Sequence, residues 1–224
     1  MPPLRGNDKR NLWKAKWKTP LITIGIDQSY ARTGIAMTYK GKLKKVAFID
    51  FKGFRKKTEK RRELSRVLVK YIKVALKYAN PEEIVIACEK IRTFSSHKDE
   101  GANPFAMEAP VLSPAYIKST GALIASIVDT AFDYGITVYS VDTRSWKSVI
   151  LGTSKPLCEP LEGVSNPQKI RAIKYIMSLG FEKELEVRGL RNSLRGYCDD
   201  AADAACIALY PTKSIDKLVL TVEE

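Results

Sequence analysis

Residues 21–51, LITIGIDQSYARTGIAMTYKGKLKKVAFIDF, decide the fold. LITIGID (21–27) is a short, β-branched apolar run, the pattern of a buried strand. TGIAMTY (33–39) and KVAFIDF (45–51) have the same character, and only a short turn at Lys40-Gly41 separates them. Strands this close in sequence pair as an antiparallel meander. The first strand ends on Asp27, a charge where the chain is otherwise apolar.

Beyond the meander, residues 57–79 predict a long amphipathic helix. Leu64, Val67, Leu68, Tyr71, Ile72, Ala75 and Leu76 follow helical spacing. Arg62, Arg66, Lys70, Lys73 and Lys77 form a basic stripe on it, and Asn80-Pro81 ends it. EEIVIACEK (82–90) reads as a buried strand with Glu89 at its end. Residues 92–113, holding Gly101, Pro104 and Pro110, read as a long loop. A helix over 114–134, a strand over 135–142, a short helix over 143–151 and a loop over 152–165 follow. Asn166-Pro167 opens a helix to about Leu179, with Pro167 at its first position. Residues 182–197 are charged and expected to be flexible. DDAADAACIALY (199–210) is a compact helix that Pro211 is expected to stop, with Asp199 as its cap. The order predicts an α/β fold. Its mixed five-stranded sheet has three antiparallel strands and then parallel ones, flanked by helices. The expected division is a basic arm (1–19), one domain (20–212) and a tail (213–224).

The 224 residues suit a single domain with a core of its own. No apolar run approaches the ~20 residues of a membrane span, and the N-terminal residues lack the apolar centre of a signal peptide. A reducing, cytoplasm-like compartment is the expectation. Cys88, Cys158, Cys198 and Cys206 form no CxxC pair and read as free thiols. His97 is the single histidine, so chemistry that needs two is excluded. Net charge is +13, concentrated in residues 1–20 (six Lys/Arg against one acid) and 40–77 (fifteen against three). Such a surface suits a polyanion partner. Trp13 and Trp17 in the arm could pack on the domain or stack on bases.

Carboxylates are therefore the candidate catalytic groups. Asp27 and Glu89 end buried strands. Asp200 and Asp203 lie three apart on an alanine-rich helix and share a face. Each has an ordinary reading too: Asp27 capping a turn, Glu89 pairing with Arg92, Asp199 and Asp200 favoured by the helix dipole. Grouped carboxylates are costly unless cations compensate them. A pair of Mg²⁺ ions, which prefer hard oxygen ligands, would do so.

Three motifs, IGIDQSYARTGIA (24–36), IACEK (86–90) and DDAADAACIAL (199–209), resemble the RuvC branch of the RNase H-like nucleases, the Holliday junction resolvases. RSWKSVILGTSK (144–155) and NPQKIRAIKYIM (166–177) are similar to the region before that family's last motif. The resemblance implies Asp27, Glu89, Asp200 and Asp203 as ligands of two Mg²⁺ ions, with Mn²⁺ as a substitute. It puts Lys147 near the scissile phosphate and Lys155 and Lys169 among the DNA contacts. It implies symmetric nicking of four-way junctions and forks by a homodimer, with no membrane association. Phe94, five residues after Glu89, could wedge into a branch point. Gln28-Ser29 stand where the family has Pro-Gly. That departure, the arm and the long loop resemble phage, viral or mobile-element relatives. The same carboxylates would serve an RNase H-like nuclease acting on RNA or unbranched DNA, and the basic surface alone would serve a non-catalytic DNA-binding protein. An actin-like phosphotransferase would need a glycine-rich nucleotide loop, which is not evident.

Overall fold

A computed structural model describes residues 19–90, 114–152, 167–187 and 196–213. The strands are β1 (Ile22–Asp27), β2 (Arg32–Tyr39), β3 (Lys42–Asp50), β4 (Ile84–Glu89) and β5 (Thr137–Val141). The helices are α1 (Lys57–Ala75), α2 (Pro114–Phe132), α3 (Thr143–Leu151), α4 (Pro167–Ser178), α5 (Glu182–Leu185) and α6 (Asp199–Lys213). A single 3₁₀ turn, Pro81–Glu83, precedes β4. The sheet order is β3-β2-β1-β4-β5. β1, β2 and β3 are antiparallel neighbours, and β4 and β5 continue the sheet parallel to β1. This is the mixed α/β architecture that the sequence predicts, three antiparallel strands followed by parallel ones.

Alternation along the strands sorts the sheet into two faces. Ile22, Ile24, Ile26, Ile35, Ile84 and Ile86 bury against Leu64, Leu68 and Ile72 of α1 and Leu123 and Ile127 of α2. On the opposite face Ala36, Val85, Ala87, Tyr139 and Val141 pack with α6, α3 and α4. Residues 201–211 of α6 are all buried. Its alanines let the helix lie close to the sheet, and two strand glycines complete the fit. A Cβ at Gly25 would overlap the backbone of Ala204 and Ala208, and one at Gly34 the carbonyl of Asp200.

Several boundaries differ from expectation. β3 begins at Lys42, three residues early, because Lys40 and Gly41 both take left-handed φ (49° and 71°) and close a two-residue turn. α1 ends at Ala75, and the next turn tightens through Lys77 N–H to Val74 O and Tyr78 N–H to Ala75 O. Pro211 does not stop α6, which runs on to Lys213. The proline sits in the last turn and forgoes a single backbone bond there. Part of the segment expected to be flexible is structured. Leu185 is fully buried, Cys198 N–H bonds Leu185 O, and Glu186 bridges Tyr197. Cys88, Cys198 and Cys206 are buried and form no disulfide. The readings of Trp13, Trp17, Phe94, His97, Lys155 and Cys158 lie outside the described residues, as do the arm through residue 18 and the loop 91–113. Among the described residues, no helix is long and apolar enough to cross a membrane.

Candidate active site

β1 and β4 run parallel in a register that pairs Ile26 with Cys88, so Asp27 and Glu89 stand side by side at the ends of adjacent strands. Each lies two residues beyond a small residue of the α6 face, Gly25 and Ala87, and so belongs to that face. On β2, Gly34 pairs with Asp27 and lies under the backbone of Asp200. The start of α6 is thus set down beside Asp27, and Asp203 follows one turn later. Asp27 and Asp203 are each 8% exposed.

The electrostatics record this grouping. Burial pushes the Asp27 carboxyl well above the usual carboxylate range, and the charges of Glu89, Asp203 and Asp200 push it further. Burial lifts Asp203 to about 7, opposed by Lys147 and Lys169 and assisted by Glu89. Asp200 rises to about 6, again chiefly by burial. The Glu89 charge acts on all three aspartates, Lys169 opposes it at each of them, and Lys147 does so at Asp203. The turn after Asp27 is held by Thr33, whose hydroxyl donates to Ser29 O (2.9 Å) and accepts from Ser29 N–H (3.2 Å).

The lysines come from α3 and α4. Asp142 caps α3 by accepting from Arg144 N–H (2.8 Å) and Ser145 N–H (3.4 Å). Trp146 anchors α3 in the core, and the next residue, Lys147, holds its ammonium 5.2 Å from the Trp146 ring centroid. Lys169, in the first turn of α4, forms an ion pair with Asp199. Burial alone would lower Lys169, but that partner and the nearby Asp203 and Asp200 raise it. Asp199 is therefore not the cap of α6. It is the first helical residue, and Cys198 precedes it, with its carbonyl accepting from Ala202 N–H and its thiol from Ala201 N–H.

Three neighbours of the carboxylates were not singled out from the sequence for a role. Thr143 donates its hydroxyl to a Glu89 carboxylate oxygen. Gln28, 6% exposed, donates its side-chain amide to Glu89 O at 2.6 Å and so ties the ends of β1 and β4 together. Arg32 lies near Asp200 and counters its upward shift. Gln28 is visible in sequence as a departure from Pro-Gly. Thr143 and Arg32 become visible only once the strand order is known. The stripe Arg62, Arg66, Lys70, Lys73 and Lys77 is exposed, but α1 covers the face opposite α6, so the fold does not bring the stripe to the carboxylates. Arg66 is also engaged by Glu63 on its own helix.

As the side chains are placed, no three His, Cys, Asp or Glu residues among the described ones are close enough to hold one metal ion. The donor set nevertheless suits a hard divalent cation. It consists of carboxylate oxygens, two of them on nearly buried residues whose charge is opposed by burial and by one another.

Solved structures similar to this chain include RuvC of Thermus thermophilus in complex with a Holliday junction substrate. It has 13% identity and a TM-score of 0.48, over 85% of this chain and 91% of that one. A second Thermus thermophilus RuvC structure has 16% identity and a TM-score of 0.49, over 84% and 92%. The yeast mitochondrial Holliday junction resolvase Ydc2 has 12% identity and a TM-score of 0.48, over 94% and 86%. No family model matches the chain, and no curated protein matches it.

Proposed function

We propose that this chain is a divalent-metal-dependent endodeoxyribonuclease that nicks branched DNA, four-way junctions and forks, symmetrically as a homodimer. The observation that carries the reading is the convergence of Asp27, Glu89, Asp200 and Asp203 at one end of the sheet. Branched DNA as the substrate follows from the sequence resemblance, and the +13 charge supports a polyanion.

In this reading Asp27, Glu89, Asp200 and Asp203 hold two Mg²⁺ ions, or Mn²⁺ in their place. Bound there, the ions lower the pKa of an attacking water and offset charge on the phosphate. Asp27, with Glu89 beside it on β4 and the start of α6 set down across it, would anchor the metal. Thr143 fixes the Glu89 carboxylate, and Gln28 fixes its backbone. Asp200 and Asp203 ride on a helix that is buried at every residue from 201 to 211. Lys147 and Lys169 place positive charge where negative charge develops on the phosphate. The α1 stripe contacts DNA away from the reacting bond and positions it without reading sequence, Phe94 wedges into the branch point, and Lys155 is a further DNA contact.

The test is nicking of a matched panel of junction, fork, duplex and RNA substrates with and without Mg²⁺. Asp27→Asn and Asp203→Asn should each abolish cleavage and keep binding to branched DNA. Near wild-type cleavage by Asp203→Asn would overturn the assignment.

A further inference from the structure

β2 begins at Arg32. Because β2 is antiparallel to β1, its first residues lie at the end of the sheet where β1 reaches Asp27. Arg32 is two residues before Gly34 and shares its face, the face on which α6 sets down Asp200. The guanidinium carbon lies over the Phe48 ring on β3, 5.4 Å from its centroid. Its nearest acid is Asp50, directly across the ladder, at 3.6 Å. That is too long for a formed hydrogen bond. Nε is buried with no hydrogen-bond partner among the described residues, and the side chain as a whole is 25% exposed.

A guanidinium carries five N–H donors in a rigid plane. Here the Phe48 ring supports the head group, a loose ion pair occupies one edge, and Nε has no acceptor among the described residues. Leaving a buried donor empty is unfavourable. The acids nearby do not fill it: Asp50 stands too far off, and Asp200 acts on Arg32 through charge without a hydrogen bond. A group with two acceptor oxygens in one plane, entering from the carboxylate side, would satisfy the free donors. The non-bridging oxygens of a phosphodiester have that geometry. An aspartate or glutamate of a protein partner would have it too, but would meet the repulsion of four carboxylates with no cation of its own to bring.

Building on the nuclease reading, we propose that Arg32 is a further substrate-binding residue, which grips a backbone phosphate of the DNA strand next to the Asp200 side of the carboxylate cluster. The alternative role is purely structural, an ion pair that clips β2 to β3. The two roles make different demands. A phosphate grip needs the fork and is indifferent to Asp50. A strand clip needs Asp50 and tolerates lysine.

The experiment measures the affinity of full-length protein for fluorescein-labelled four-way junction and duplex by anisotropy. Ca²⁺ replaces Mg²⁺, and the salt concentration is varied. Arg32→Ala should weaken both complexes about five- to tenfold and reduce the slope of log affinity against log salt by about one contact. Arg32→Lys should recover less than half of the loss, and Asp50→Asn should bind at least as tightly as wild type. With Mg²⁺, Arg32→Ala should raise KM more than it lowers kcat. Wild-type affinity in Arg32→Ala, full rescue by lysine, or an equal loss in Asp50→Asn would overturn the proposal. If Arg32→Ala fails to fold, the lysine and Asp50→Asn variants decide alone. If wild-type protein cuts no substrate yet Arg32→Ala loses affinity, the nuclease reading fails and the phosphate grip stands. If wild type cuts and Arg32→Ala binds normally, only the grip fails.

Discussion

Gly34 of β2 lies against the backbone of Asp200, closer than any side chain would allow. Gly34 also pairs with Asp27 across the β1–β2 ladder. One missing Cβ therefore sets how near the α6 carboxylates come to the strand carboxylate. Gly34→Ala forces the helix start away from the sheet at a point where both sides are backbone and neither can give. The variant should lose about 1–3 kcal/mol of stability by overpacking, and cleavage should fall at least tenfold. Gly53→Ala, in open space, is the control and should change neither. Thermal melts and single-turnover nicking compare them.

Burial and like charge raise Asp200 to about 6 and Asp203 to about 7. Both folded values lie above the ordinary carboxylate value of 3.8. Between them the folded state binds more protons than the unfolded chain, so stability falls as pH rises. Their contribution is fully present below about pH 4 and is lost as pH climbs through about 7. Metal-free protein should therefore melt several degrees lower at about pH 8 than at about pH 5, where about 1 kcal/mol corresponds to roughly 2–4 °C. Asp203→Asn should flatten the slope. A melting temperature that rises over this range would contradict it.

The Glu89 carboxylate at the end of β4 accepts a hydrogen bond from the Thr143 hydroxyl. Thr143→Val removes that donor at nearly constant volume and leaves the carboxylate free to rotate. Catalysis should fall by roughly tenfold, as for a loosened ligand, and Thr143→Ser should restore most of it. The midpoint of a Mn²⁺ titration, read alongside kcat, separates a misplaced ligand from a damaged fold. Unchanged values in Thr143→Val would show that Glu89 needs no support.

What the sequence could and could not disclose follows from how each feature is encoded. The sheet was readable because the strands are nearly unbroken apolar runs, and Asp27 and Glu89 stood out as charges ending them. The close approach of Asp200 was not readable from the helix alone, since it depends on glycines that are silent in any periodicity. Leu185 is buried within a charged stretch, so local composition hid the short helix that carries it. Arg32 and Thr143 acquire meaning only through neighbours more than fifteen residues away in the chain. Asp199 was read as a cap because acids favour helix starts, whereas its position one residue inside α6 turns it toward Lys169 instead.

The basic stripe of α1 lies on the opposite side of the sheet from the carboxylates. It can add affinity but cannot touch the reacting bond. Affinity should fall steeply with salt, roughly 10³-fold or more between about 50 and 200 mM for a protein that neutralises several phosphates, and reversing Arg66, Lys70 and Lys73 to glutamate should weaken junction and duplex binding alike and make that fall shallower. The rate at saturating DNA should stay within about twofold, because the chemistry needs none of these residues. A rate loss at saturation with unchanged affinity would place the stripe in the chemistry after all.

The ion pair between Asp199 and Lys169 predicts two substitutions with opposite signs. Lys169 carries a positive charge close to Asp27, Asp200 and Asp203, and it opposes the upward shift of all three. That charge also opposes the entry of a divalent cation. Lys169→Met should therefore tighten Mn²⁺ binding to the protein alone by several-fold, read by calorimetry without DNA, since a neighbouring like charge is removed. Cleavage at saturating metal should nevertheless fall, because the same lysine is placed to meet the phosphate. Asp199→Asn removes a negative charge from the rim and releases Lys169 toward the remaining carboxylates, so Mn²⁺ binding should weaken. The double variant should bind Mn²⁺ nearly as wild type does, because the two changes cancel in charge. If both single variants shift affinity in the same direction, the pair acts through the fold of α4 on α6 and not through its charge.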